Sequence, residues 1–232
     1  MCTVSYIPTE EGFVFTSSRD ERYNRSATEF PIEEAGLTFP RDLEAKGTWI
    51  ASSQTELRCL LNGGFKYHES QPPYKKSRGI MLLESFTYGS INDFVNVYDF
   101  EGMEPFTFIC IESHFVHEIR WDFEKIFHIK KSLKEKHIWS SSTLYTPESI
   151  AERKTWFDDW FKDKTVDIDF CRTFHYNGGS HDAYNSVLLK RDLKGTISIT
   201  SVTQDKSLRQ MIYDDFENGI RKVSLEKNQQ NF

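Results

Sequence analysis

The sequence predicts an α+β protein, with two mostly antiparallel sheets and helices over their outer faces. Three observations carry that expectation. Strand-like and helix-like segments come in blocks (strands, helices, strands, helices, strands) instead of the strict alternation a parallel doubly wound sheet requires. Many strand-like segments come as neighbours separated by short turns, as in hairpins. The chain is 38% hydrophobic with 19 Phe, 10 Tyr and 5 Trp, enough large apolar side chains for an extensive core. A length of 232 residues suits one domain, read as 1–232 with a frayed tail over 227–232.

The chain opens on a hairpin. Segments 3–7 and 13–17 read as strands, and Thr9-Glu10-Glu11-Gly12 as the turn between them. The second strand runs out into Arg19-Asp20-Glu21. A hairpin returns the chain to where it began, so Arg19 and Asp20 are expected beside Cys2. Residues 22–47 are polar, contain Pro31, Gly36 and Pro40, and read as a long surface excursion. Segments 48–53 and 57–61 form a second hairpin pattern, followed by Asn62-Gly63-Gly64, where glycine permits a positive φ and a close backbone approach. Residues 65–76, with Pro72-Pro73, read as a loop. Apolar residues at 80, 82, 83 and 86 predict a helix over 77–88, and Ser90 caps a second over 91–100.

From Pro105 the period returns to two. Segments 106–112, 116–122, 125–130 and 137–141 read as short strands. Thr146-Pro147-Glu148 has a capping hydroxyl, a proline at the first helical position and an early acid, and so starts a helix over 147–162. Its Trp156/Trp160 and Phe157/Phe161 pairs read as a core stripe. A further helix over 167–176 ends at Asn177-Gly178-Gly179. Segments 186–190, 195–203, 209–216 and 220–225 read as strands of a closing meander.

Composition excludes several classes. The formal net charge of −6 argues against a general nucleic-acid binder, which needs a basic face. Cysteines at 2, 59, 110 and 171 are too widely spaced for a zinc knuckle or a disulfide framework, so reduced thiols are expected. The N-terminus has no basic region followed by an apolar run, and no stretch reaches the ~18–20 apolar residues of a membrane span. The expected location is cytoplasmic.

Cys2 is the leading chemical candidate. Removal of the initiator methionine would give it a free α-amine, with a reference pKa near ~8, able to act as base for its own thiol. Arg19 would favour the thiolate and could hold a carboxylate or carbonyl oxygen, and Asp20 could hold the α-ammonium. The bland alternative is a small strand residue beside a solvated turn. His114 and His117 share a strand on opposite faces, and no metal site is expected from them. His175 and His181 flank Gly178-Gly179 and read as loop histidines or a haem ligand. Lys130, Lys131, Lys134 and Lys136 read as a solvated basic patch, and Gly63-Gly64 lacks the Lys-Ser/Thr of a phosphate loop.

The opening MCTVSYIP, a turn, and FVFTSSRDE resemble the NRDE family, also called the transport and Golgi organisation family. GTWIASS, CLLNGG and SRGIMLLESF are similar to its next blocks, over roughly the first ninety residues. Ser18 stands where that family carries Asn. The family resembles N-terminal-nucleophile hydrolases of the penicillin acylase and bile-salt hydrolase branch, which implies a four-layer αββα sandwich. It also implies Cys2 as nucleophile, Arg19 and Asp20 as pocket partners, and Asn62 with the Gly63 amide as oxyanion donors. Ser18, Glu21 and Asn185 are the accompanying polar candidates. The implied activity is hydrolysis of an amide C–N bond without a cofactor. The alternative is a carrier or chaperone for haem or an acyl-CoA-like or lipid-like ligand, since family members have been linked to such roles.

Overall fold

The computed structural model describes residues 2–227 except 26, 28–30, 165, 183 and 206–207, with backbone alone at Cys2 and 225–227. In chain order it contains β1 (Cys2–Pro8), β2 (Phe13–Arg22), β3 (Ile32–Glu34), β4 (Leu37–Phe39), β5 (Ile50–Ser52), β6 (Leu57–Asn62), α1 (Arg78–Ser85) and α2 (Ile91–Val97). Then follow β7 (Phe106–Ile111), β8 (Val116–Trp121), β9 (Ile126–Lys131), β10 (His137–Ser140), α3 (Pro147–Trp160), α4 (Ile168–Asn177), β11 (Lys194–Gln204), β12 (Leu208–Asp215) and β13 (Ile220–Lys227). The described residues thus form an α+β fold of two antiparallel sheets and four helices, as the block order predicts.

The chain divides into two compact units, Met1–Arg25 with Lys134–Ser140 and Tyr145–Phe232, and Ser26–Leu133 with Ser141–Leu144. The first holds the six-stranded sheet β10-β1-β2-β11-β12-β13 with α3 and α4. The second holds the seven-stranded sheet β3-β4-β5-β6-β7-β8-β9 with α1 and α2.

In the first unit, strand alternation separates two faces. Ile7 and Val14 point to the helices, where they pack with Phe157, Phe161, Cys171, Phe174 and Val187. Trp156 and Trp160 lie against that cluster, so the aromatic stripe is core. The predicted caps form: Thr146 Oγ1 accepts from the Ser149 amide at 3.2 Å, and Ser90 Oγ accepts from the Asp93 amide at 3.1 Å. In the second unit, Met81, Leu82, Ile91 and Phe94 of the helices pack on Leu60, Phe106, Phe108 and Ile119 of the sheet.

Several predicted boundaries move. Strand β2 does not stop at Ser17, because β11 pairs along it as far as Lys194↔Arg22, so Arg19-Asp20-Glu21 lies inside the sheet. The excursion over 22–47 contains the β3–β4 hairpin, turned by Ala35 and Gly36 with φ of 52° and 75°. Alanine at positive φ is no turn signal, which is why the pattern does not show it. Residues 186–190 do not form a strand. The Val187 amide bonds the Gly178 carbonyl at 2.9 Å, and only Lys190 makes a bridge, to Gly195. The first helix closes early because its last turn tightens, with the Phe86 amide on the Leu83 carbonyl at 3.2 Å. The second ends at Val97 as Tyr98 becomes extended and Phe100 turns into the core. Of the tail expected over 227–232, Lys227 ends β13 and 228–232 lie outside the described residues.

Gly179 ends the α4 turn at φ +66°, and a β-carbon there would stand 2.1 Å from the Trp156 ring. Gly179→Ala therefore meets both a left-handed backbone and a blocked space. A loss of about 1–3 kcal/mol is expected in urea unfolding; an unchanged midpoint would refute the close approach.

Candidate functional site

The β1–β2 register places Cys2 opposite Arg19 and Thr3 opposite Ser18. On the far side of β2, Ser198 pairs with Arg19, and Ser198 in turn pairs with Asp215. One row of the sheet therefore runs Cys2, Arg19, Ser198, Asp215, with neighbouring backbones about 4.5–5.5 Å apart. The predicted grouping of Cys2 and Arg19 at one end of the ribbon is present at the level of the backbone. Arg19 is buried, and its guanidinium donates to the Arg25 carbonyl at 3.2 Å. Glu21 accepts from Arg25 Nη1 at 3.1 Å and from the Arg22 amide at 2.9 Å.

Asp20 faces the other way, towards the helices. It is fully buried, accepting from Tyr145 Oη and Thr196 Oγ1, both at 2.6 Å. Burial raises its carboxyl pKa, and the Arg153 charge with the two hydroxyl donors only partly offsets that rise. Burial, reinforced by the Asp20 charge, lifts the Tyr145 phenol well above its ordinary value. Arg153, fully buried on α3, lies 3.6 Å from the Tyr145 ring centre. It donates to Thr3 Oγ1, to the Ser186 carbonyl at 2.6 Å and to Asn185 Oδ1 at 3.3 Å. Asp20, Tyr145, Thr196, Arg153 and Thr3 thus fasten β1, β2 and β11 to α3 immediately beside the Cys2–Arg19 pair.

Asn185, expected near the start of a strand, sits in a turn instead. Its amide side chain donates to Glu152 Oε2 at 2.7 Å, which ties it to α3. Ser18 lies on the helix face, opposite in direction to Arg19, and bonds His175 Nδ1 at 2.8 Å. The position where the family carries Asn therefore belongs to the packing face of β2. His175 is not a loop histidine: it is fully buried on α4, and its Nε2 bonds Ser5 Oγ at 2.7 Å. Both ring nitrogens are engaged, so it is not available as a haem ligand. Burial holds its pKa at about 3.

Asn62 and Gly63 end β6 in the second unit. The Asn62 carbonyl accepts from Ser141 Oγ at 2.8 Å, and Gly63 has φ +85°, with Ser142 Oγ 2.3 Å from where a β-carbon would stand. The close approach expected of that glycine is present. His117 does not act with His114; it bonds His128 at 2.7 Å across β8–β9. Cys59, Cys110 and Cys171 are buried free thiols, and burial lifts the Cys171 pKa to about 12.

Sequence reasoning missed Arg153, Tyr145 and Thr196. Arg153 had a signal. It precedes Phe157 and Phe161 by four and eight residues, so it occupies the core stripe of α3, where a charge needs a buried partner. Tyr145 and Thr196 carried none, because only the fold brings them to Asp20.

The family model for Transport and Golgi organisation 2 matches residues 1–229. No curated protein matches the chain. Among solved structures, the Anbu (Gly-1) mutant from Hyphomicrobium sp. strain MC1 superposes with a TM-score of 0.42 at 8% identity, covering 100% of this chain and 89% of that one. No helix among the described residues is long and apolar enough to cross a membrane.

Proposed function

The chain belongs to the Transport and Golgi organisation 2 family, and on that premise we propose that it is a cysteine-dependent hydrolase of amide C–N bonds with Cys2 as its nucleophile. The observation that supports this most directly is the register that sets Cys2 opposite the buried Arg19. A guanidinium one strand away favours the thiolate, and it can orient a carbonyl or carboxylate oxygen of a substrate.

The reaction follows from those groups. Once Met1 is removed, the α-amine of Cys2 takes the thiol proton. The thiolate adds to the amide carbon, the C–N bond breaks, and the amine product leaves with that proton. Water then cleaves the thioester, releasing the acid and restoring the thiol. Asp20 does not touch the reacting atoms in this scheme. With Tyr145, Thr196 and Arg153 it positions the ends of β1 and β2. Asn185 supports Arg153 from the side. The workplace is the reducing cytoplasm, where a free thiol persists.

The mass of the purified protein and the site of first alkylation test the proposal. The expected mass lacks the Met1 residue, and iodoacetamide is expected to modify Cys2 well before the buried Cys59, Cys110 and Cys171. Retention of Met1, or a Cys2 no more reactive than those three, would overturn the nucleophile role and favour the carrier reading.

A further inference from the structure

Among the described residues the two sheets end on four edge strands, β3 and β9 in one and β10 and β13 in the other. Three are poor templates for a further strand. β3 and β10 have three and four residues, and β9 has six, of which only Ile129 and Lys130 are exposed. β13 differs. It has eight residues, Ile220–Lys227, and all eight pair with β12 in one unbroken register. Every residue from Ile220 to Val223 is exposed, Val223 at 50%. The strand, IRKVSLEK, holds no proline and its ladder no bulge, so two common devices that blunt an edge are missing. The turn that carries it is firmly tied. Asp215 accepts from the Glu217 and Asn218 amides at 2.9 and 3.1 Å and from the Asn218 side chain at 2.7 Å. A long, regular, exposed edge presents backbone donors and acceptors to another strand.

What fits this edge follows from its own sequence. In an antiparallel ladder, directly opposed residues either both turn their backbone groups towards each other or both turn them away, and the two kinds alternate along a strand. Two copies of one strand related by a two-fold axis must therefore be centred on a residue, never between two. Axes through Val223 or Ser224 leave a single residue of β13 unopposed. The axis through Val223 sets Ile220 against Glu226 and Arg221 against Leu225, a charge against an apolar residue each time. The axis through Ser224 sets Val223 against Leu225 and Lys222 against Glu226, each twice by symmetry. Apolar residues then oppose apolar ones and cations oppose anions. The one mismatch, Arg221 against Lys227, falls at the ends of the ladder, and Arg221 Nε is held by Asp214 at 2.6 Å.

We infer that β13 is a docking edge for a second copy of this chain, paired antiparallel about a two-fold axis through Ser224, so that two six-stranded sheets run on as one. Lys222 acts here as a selective guard. It repels a strand with a cation at the facing position and accepts its own copy, whose Glu226 position stands opposite. Three strands separate β13 from β1, so the joint is remote from Cys2 and the inference holds whether or not Cys2 is a nucleophile.

A single strand pairing is a small interface, so a dissociation constant of roughly 1–100 µM is expected. Sedimentation equilibrium of the full chain across that range measures it. Lys222→Glu and Glu226→Lys each place like charges opposite one another twice in the ladder, and each is expected to weaken self-association at least about tenfold. An equimolar mixture of the two variants opposes Glu to Lys at both places again. It is expected to recover the original constant to within about threefold, which also shows that both variants fold. A chain that stays monomeric throughout the range would overturn the inference. So would a dimer equally strong in both single variants, which would have to use another surface, or a mixture that associates no better than its components.

Discussion

Arg153→Met is expected to lower the unfolding free energy by about 3–5 kcal/mol at neutral pH, the usual cost of removing one partner from a buried charged network. The side chain is fully buried, stacks on Tyr145 and donates to Thr3, Asn185 and the Ser186 carbonyl. Its charge is also the largest influence holding down the Asp20 pKa against burial. Without it that pKa rises further above the unfolded value. An acid with a raised folded pKa binds its proton more tightly in the folded state, so its stabilising contribution is full below the unfolded pKa and is lost as pH rises through the folded one. The deficit of Arg153→Met should therefore be smaller in acid than at neutral pH. Asp20→Asn combined with Arg153→Met should recover part of the loss, because no buried carboxylate remains. Urea unfolding of the three variants at two pH values measures this. A deficit independent of pH, or a double variant that is simply additive, would show that Arg153 acts through packing alone.

The sheets, the four helices and the pairing of Cys2 with Arg19 were legible because each rests on local information. Hairpins return the chain to its start, and Thr146-Pro147-Glu148 caps a helix wherever it occurs. What was not legible depends on distant segments. The extension of β2 through Arg22 needs β11, some 175 residues later in the chain, to continue the ladder. The direction of Asp20 follows from the same extension. In a turn it would be solvated, whereas in a strand between β1 and β11 it must face α3 and find Tyr145 and Thr196. Residues 186–190 were read as a strand, and Val187 and Leu189 within them are apolar. Their burial is real, but their backbone partners are the end of α4 and Thr196.

His175 provides a second large pH effect. Unfolded, its imidazole titrates near its ordinary value of about 6.5; folded, burial and the nearby Arg172 and Arg153 charges hold it at about 3. The unfolded chain therefore binds the extra proton first, and stability contributed above about pH 6.5 is lost as pH falls towards 3. The full span corresponds to about 5 kcal/mol. The ring cannot escape this by rotating outward, because Nε2 is held by Ser5 on β1 and Nδ1 by Ser18 on β2, and α4 packs over it. His175→Gln keeps a neutral donor and acceptor but removes the titration. It should cost about 1–2 kcal/mol at pH 7.5 through imperfect hydrogen bonds. The gap should then close, and reverse, as the pH is lowered through 5. Unfolding midpoints of both proteins from pH 7.5 to 4 decide the matter, and parallel curves would mean that His175 is not held neutral. The consequence reaches the site itself, because Ser18 adjoins Arg19 and Ser5 lies three residues from Cys2. Protonating this one ring would loosen the strand ends that hold Cys2 and Arg19 in register.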